Sequence, residues 1–309
     1  MGIVNRILRP RFPAAAIGLE RGGAGIVSLE KRRGRLVLRR AGYVAFDETV
    51  FRPKFDDVNI FDPGEFTAAL ADLASRTGLD KQTRWSIALP DAVARVAILT
   101  LESAPASRQE FEEMFNWKVE RAFGVDPKEL RVSRRALRPD PAGRARYLVT
   151  GARLSVLSEY EAAFAALGWR AGLILPRHLC EAWWLWRDRG AEGDSLLVSL
   201  HERGVTNVLV RAGEPLIVRD IVCELDERAD ELYRFLLFYR DRVAKDGSGI
   251  ARLLLVGDDW KDEEKVIEEA LEHMPRIVGP EDLGLIFPAM EIGFRRLAAP
   301  AALASLAWG

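Results

Sequence analysis

The feature of this sequence that most restricts its fold is an order of elements that occurs twice. Residues 15–20, 26–31 and 35–46 carry the apolar patterning of three strands joined by short glycine-containing turns. DPGEFTAALADLASRTG then predicts a helix, with Asp62 as its cap, Pro63 in the first turn, Glu65 completing a capping box and Gly78 as the stop. RWSIALP (84–90) reads as a buried strand. After an interruption, SEYEAAFAALG predicts a helix capped by Ser158 and Glu161 and ended by Gly168. AGLILP (171–176) is a strand and RHLCEAWWLWRDRG (177–190) a Trp-rich helix. The last part repeats the series. Residues 195–201, 205–211 and 215–221 predict three strands, and 226–244 a long helix, apolar nearly all round and therefore buried. A strand (251–257), a helix (258–274) and a short strand (276–279) follow.

Both parts thus read strand–strand–strand–helix–strand–helix–strand. Antiparallel strands followed by helical crossovers imply mixed sheets with helices on their faces. The order fits two duplicated halves facing each other across a cleft; the competing arrangement is two unrelated α/β domains. The interruption, 93–153, reads as a small α+β module of strand, helix, strand and strand. Its helix is capped by Ser107 and Glu110, with Phe111, Met114, Phe115, Val119, Ala122 and Phe123 facing inward. The expected division is therefore 1–92 with 154–191 as the first half, 93–153 as the inserted module, and 192–309 as the second half with a closing helix.

Composition excludes several function classes. Lys and Arg number 45 against 46 Asp and Glu, so no global field argues for nucleic acid. The two cysteines, Cys180 and Cys223, have neither disulfide-framework nor metal spacing, which fits a reducing compartment. The apolar runs fall short of the roughly 20 residues of a membrane span, and the N-terminus lacks a signal-peptide core. The cytoplasm is the expected location. MGIVNRILRPRF places Ile3, Val4, Ile7 and Leu8 at helical spacing among three arginines. Residues 1–12 therefore suit either an anionic membrane surface or a frayed terminus before Pro13.

No HExxH, Walker loop, GxSxG elbow or Cys/His metal set occurs. His178 and His273 sit near predicted helix ends, where capping or surface roles are expected. Trp183, Trp184 and Trp186 suit core or interface better than a ligand platform. The segment with most chemical interest is AIGLERGGAGIVSL, a glycine-rich turn between two strands. Such turns hold phosphates with bare backbone N–H groups. Its turn, Arg21–Gly25, has no Ser, Thr or Lys to grip a nucleotide, and its glycines equally suit a hairpin.

Several segments resemble one family in order and spacing, nearly end to end. AIGLERGGAGIVSL stands where that family has Gly-Leu-Asp-Ile-Gly-Ser-Ser-Ser-Ile-Lys. IALPDAVARVAIL, FNWKVERAFGVDPKEL, GWRAGLILPRHLCEAW, ADELYRFLLFY, IARLLLVGDD and LGLIFPAMEIGFR follow its other motifs, the last at its closing helix. The chain resembles the PilM family, cytoplasmic actin-like proteins of type IV pilus assembly related in fold to FtsA. The resemblance implies a duplicated actin-like (ribonuclease H-like) fold with an inserted module in the first half. It also implies a scaffold role at the inner membrane, in which a groove near the module grips the cytoplasmic tail of a bitopic PilN-like partner, with self-association through the module.

On the same resemblance, Glu20 occupies the position of the metal-binding aspartate, Gly22 is kept, and Gly23 replaces a hydroxyl. The second phosphate loop has lost its acid to Ser199, Leu200 and His201, leaving Thr206 as a surviving hydroxyl. At the third loop Gly257 survives beside Asp258. These six residues, Glu20, Gly22, Gly23, Thr206, Gly257 and Asp258, mark a degenerate nucleotide cleft. No catalytic residue, metal site, ATP or Mg²⁺ is expected. The alternative is an ATPase or sugar-kinase-like enzyme of the same superfold.

Overall fold

The computed structural model describes residues 12–187, 192–201, 203–244, 249–257 and 260–308. β1 (Ala15–Glu20), β2 (Gly23–Arg32) and β3 (Arg35–Ala45) form an antiparallel meander. α1 (Pro63–Arg76) follows, capped by the Asp62 carboxylate on the Glu65 N–H at 2.8 Å, and leads to β4 (Arg84–Leu89), parallel to β1. β5 (Ala94–Thr100), α2 (Arg108–Phe123), β6 (Leu130–Leu137) and β7 (Arg146–Arg153) make a three-stranded antiparallel sheet in the order β5-β7-β6, with α2 on one face. α3 (Leu154–Ala166), β8 (Arg170–Pro176), parallel to β4, and α4 (Arg177–Trp186) return to the first sheet.

The series then repeats. β9 (Asp194–His201), β10 (Gly204–Arg211) and β11 (Glu214–Val222) are antiparallel. After α5 (Arg228–Phe238), β12 (Ile250–Val256) pairs parallel with β9, and α6 (Lys261–Leu271) leads to β13 (Arg276–Ile277). The chain ends with β14 (Leu285–Ile286) and α7 (Phe294–Ser305). The sheet orders are β14-β3-β2-β1-β4-β8 and β11-β10-β9-β12-β13, so both sheets share one pattern and the first gains an extra edge strand from the end of the chain.

Alternation along the strands assigns the layers. Ala15, Ile17 and Leu19 of β1 pack with Phe66, Leu70, Tyr160 and Phe164 of α1 and α3. Leu196, Val198 and Leu200 of β9 pack with Leu232, Phe235 and Ile267 of α5 and α6. The opposite faces, including Ala16, Val27, Leu197 and Val208, share one core with α4 and α7. Those two helices form the middle layer between the sheets.

The glycine-rich hairpin is explained by that layer. Gly18 and Gly25 are cross-strand partners. A Cβ on Gly18 would lie 2.7 Å from Pro300 Cδ, and one on Gly25 2.7 Å from Leu297 Cδ2. The pair is a seat for α7. Proline inside a helix costs on the order of 3 kcal/mol, and burial of residues 297–305 along α7 offsets it. Trp184 Nε1–H donates to the Ala298 carbonyl at 2.9 Å, tying α4 to α7.

Several local expectations are corrected. α3 begins at Leu154, where β7 hands over directly, so Ser158 lies inside the helix and donates to the Ser155 carbonyl at 2.6 Å. The Trp-rich helix is described only as far as Trp186. α5 stops at Phe238, and Tyr239–Val243 widen into a π turn as Tyr239 reaches Asp194 at 2.9 Å. Phe238 is 43% exposed, so α5 is one-faced. Ala122 faces outward, and of the module's aromatics Phe115 and Phe123 are core while Trp117 is 55% exposed. The closing helix starts at Phe294, where the expected segment ends.

Gly18→Val forces the side chain into Pro300. Its urea midpoint should fall by an amount equivalent to roughly 1–3 kcal/mol, the usual cost of overpacking, with m unchanged.

Candidate functional site

The carboxyl ends of β1, β4, β9 and β12 converge, and a cleft of about 490 Å³ opens between the two sheets there. Glu20, Arg21 and Gly22 line it from the first sheet, with Pro90 and Asp91 after β4 and Arg177 at the start of α4. His201, Arg203 and Gly257 face them from the second sheet, and Tyr43 and Arg296 complete the wall.

Glu20 is held among cations. Its Oε2 accepts from an Arg177 terminal nitrogen at 2.6 Å, and its Oε1 lies 3.5 Å from Arg296 Nε. Arg177 also donates from Nε to Glu181 at 2.7 Å. Burial works against the Arg177 charge, but the Glu181 and Glu20 carboxylates raise its pKa above the ordinary value. Burial and the neighbouring Glu20 charge push the Tyr43 phenol up. Burial also pushes the Glu181 carboxyl up, against the pull of Arg177.

The β1–β2 turn is closed against β3. The Gly22 carbonyl accepts from Phe46 N–H at 3.0 Å. A Cβ at Gly23 would lie 2.1 Å from the Val44 carbonyl oxygen, so that glycine serves the sheet. Gly257 has φ +101°, and a Cβ there would lie 2.5 Å from the Leu200 oxygen; only glycine fits that strand end. Thr206 is fully buried and does not line the cleft. Its hydroxyl donates to Asp220 at 2.7 Å, and His201 Nε2 lies 3.2 Å from the same oxygen. Burial opposes ionisation of Asp220, but the His201 hydrogen bond holds its carboxyl low. Glu20, Gly22 and Gly257 are therefore brought together, Gly23 and Thr206 are turned into the sheets, and Asp258 lies outside the described residues.

Sequence reasoning missed the ionic floor of this cleft. His178 is buried, contrary to a surface role. Its Nδ1 is 2.6 Å from Asp91 Oδ1, which also accepts the His178 backbone N–H at 3.0 Å. Asp91 thus caps α4. A signal was present in RHLCE, where Arg177 and Glu181 are four apart on a helix otherwise rich in Trp and Leu.

A second concavity lies beside the module. Ser133 and Arg135 of β6 stand directly across from Thr150 and Leu148 of β7. With Leu175 of β8, Leu179, Cys180, Trp183 and Trp186 of α4, and Leu303 and Leu306 near the chain end, they line a mainly apolar groove of about 270 Å³. β6 and β8 are both edge strands of their sheets. Among the described residues, the buried Trp186 Nε1–H has no hydrogen-bond partner. Burial pushes the Cys180 thiol well up, which makes it inert.

Two three-plus-two mixed sheets around a central helical layer define the actin-like class of fold. A Bacteroides thetaiotaomicron protein of actin-like ATPase fold and unknown function is similar over 98% of this chain and 99% of its own, at 13% identity and TM-score 0.52. The chain is similar in particular to the PilM–PilN type IV pilus biogenesis complex, over 96% of this chain and 98% of that one, at 17% identity and TM-score 0.74. The cytoplasmic domain of EpsL, an inner-membrane component of the Vibrio cholerae type II secretion system, matches 95% of this chain and 93% of its own, at 12% identity and TM-score 0.51. At these identities the likeness is one of fold. No family model and no curated protein matches the chain. Among the described residues no helix is long and apolar enough to cross a membrane.

The buried pair gives a pH signature. Burial lowers the His178 pKa, but the Asp91 charge outweighs it and holds the imidazole above its ordinary 6.5. Burial raises the Asp91 pKa, yet His178 holds that carboxyl below its ordinary 3.8. The histidine contribution to stability is complete below pH 6.5 and is lost as pH rises through its raised folded value. The aspartate contribution is complete above pH 3.8 and is lost as pH falls through its depressed value. The pair therefore stabilises most between those limits. In urea titrations the stability advantage of the natural protein over His178→Gln should shrink from pH 6.5 upward; a pH-independent difference would refute the charged pair.

Proposed function

We propose that this chain is a cytoplasmic scaffold of a type IV pilus or related secretion assembly platform, peripheral to the inner membrane. It receives the cytoplasmic tail of a bitopic, PilN-like partner in the groove between the module and α4. The observation that carries this reading is the groove itself. It offers a mainly apolar wall beside β6 and β8, which are edge strands among the described residues. An extended apolar peptide needs those features, because edge pairing supplies affinity and alternate side-chain pockets supply specificity. The full-length likeness to the PilM–PilN complex supports the choice of partner. Exposed Trp117 on α2 is where this reading puts self-association.

In the same reading the cleft is degenerate. A magnesium nucleotide needs an available carboxylate, a hydroxyl and open backbone donors. Glu20 is neutralised by Arg177 and Arg296, Thr206 is committed to Asp220, and the Gly22–Gly23 turn is closed on β3. The alternative, an ATPase or sugar-kinase-like enzyme, requires those groups to be released.

Calorimetric titration with MgATP should give no heat at millimolar nucleotide; micromolar binding would restore the enzyme reading. A cytoplasmic-tail peptide of a PilN-like bitopic protein should bind, and Thr150→Arg, which fills the groove from β7, should abolish that binding. Trp183→Ala should weaken it about tenfold or more, as for an aromatic anchor. Equal binding by all three proteins would exclude the groove.

A further inference from the structure

The strand ends farthest from the cleft meet in a hollow of one charge. β2 runs from Gly23 at the cleft end to Arg32, and a strand of that length spans about 33 Å. β10 runs the same way, from Gly204 to Arg211. At the far end a hollow of about 460 Å³ is lined by Lys31 and Arg35 of the β2–β3 hairpin, Arg135 of β6, Arg187 after α4, and Trp308. None of its lining residues among those described is Asp or Glu. Lys31, Arg35 and Arg135 are exposed, and Trp308 is 40% exposed. The acids on the neighbouring hairpins are already paired elsewhere. Glu30 is shared by Arg32 and Arg39, and Glu214 accepts the Arg138 backbone N–H at 2.9 Å. Among the described residues, no acid of these hairpins is left to face Lys31, Arg35 and Arg135, and like charges brought together repel.

We propose that this face rests on an anionic phospholipid surface. Lys31, Arg35 and Arg135 meet the phosphate head groups, and the Trp308 indole sits in the interfacial layer. Charge complementarity carries the choice. The cations come from separate elements around one rim, which suits a two-dimensional array of phosphates, and an exposed Trp beside them is the residue type favoured at membrane interfaces. Continuity supports it. The hollow shares Arg135, Trp183 and Trp186 with the apolar groove, and a tail anchored in the membrane must leave that groove on its membrane side. This orientation rests on the reading given under Proposed function; the charge argument stands without it.

The test is sedimentation of the full chain with phosphatidylcholine vesicles, with and without phosphatidylglycerol. The natural protein should bind only the anionic vesicles, and salt should release it. Each basic residue at such a surface contributes about fivefold to partitioning, so Lys31→Ala with Arg35→Ala should lower it roughly twenty-five-fold. Trp308→Ala should weaken binding on its own. Absence of anionic binding, or binding unchanged in the double variant, overturns the inference. So does loss of binding on deleting residues 1–12 while the double variant binds normally, which would assign the contact to that segment. Salt-sensitive capture of an acidic peptide by Lys31 and Arg35 without vesicle binding would give the face to a protein instead. Tail-peptide affinity, measured in parallel, should not change in the double variant. If no tail peptide binds the natural protein but charge-dependent vesicle binding persists, the groove reading falls and this one stands.

Discussion

The arrangement of the whole molecule depends on how closely one helix can approach one sheet. α7 lies against β1 and β2 because the cross-strand partners Gly18 and Gly25 present no side chains there. Everything in the middle layer follows from that distance. Trp184 can reach the Ala298 carbonyl, α4 can lie beside α7, and the second sheet can close over both with Leu197, Val208 and Leu254. Interiors pack at crystal-like density, so a helix held even one methyl group farther out would leave the second sheet without its contacts. In this glycine-rich hairpin, Gly18 and Gly25 serve van der Waals contact with α7.

The same layer carries ionised groups into the interior, which is expensive unless each has a partner. The floor of the cleft meets that condition with Glu20, Arg177 and Glu181 in one chain of contacts and Asp91 with His178 in another. Arg177 is the centre of the first chain. It supplies a fixed positive charge at the strand ends, beside Glu20. The charge is covalently part of the fold, and Glu20 is paired within the chain.

Legibility followed the range of the physical signal. β1, β4, β9 and β12 are readable because buried strands are short apolar runs; Glu20, Gly22 and Gly257, which only the family resemblance singles out, lie together at their carboxyl ends. β14 was not readable, since Leu285–Ile286 is too short to show periodicity and exists by pairing with Leu36 and Val37. Ser158 and Glu161 had the letters of a cap, but β7 runs directly into α3 with Arg153 at the boundary and no side-chain cap. For His178, expected in a capping or surface role, burial at a helix start depends on which distant element covers it; here that element brings Asp91. Thr206 was placed in the cleft by order alone, whereas alternation along β10 turns it to Asp220.

The return of the chain's end to its beginning sets an order in time. β14 pairs with β3, and α7 covers Gly18 and Gly25, across almost the full length of the polypeptide. Loop closure over such separations is slow, and domains ordinarily fold as they emerge from the ribosome. In this chain the first sheet emerges early, but its middle-layer face lacks the cover of α7 until residues 294–305 have been translated. Docking of α7 onto Gly18 and Gly25 is therefore a late step in the packing of a sheet made early.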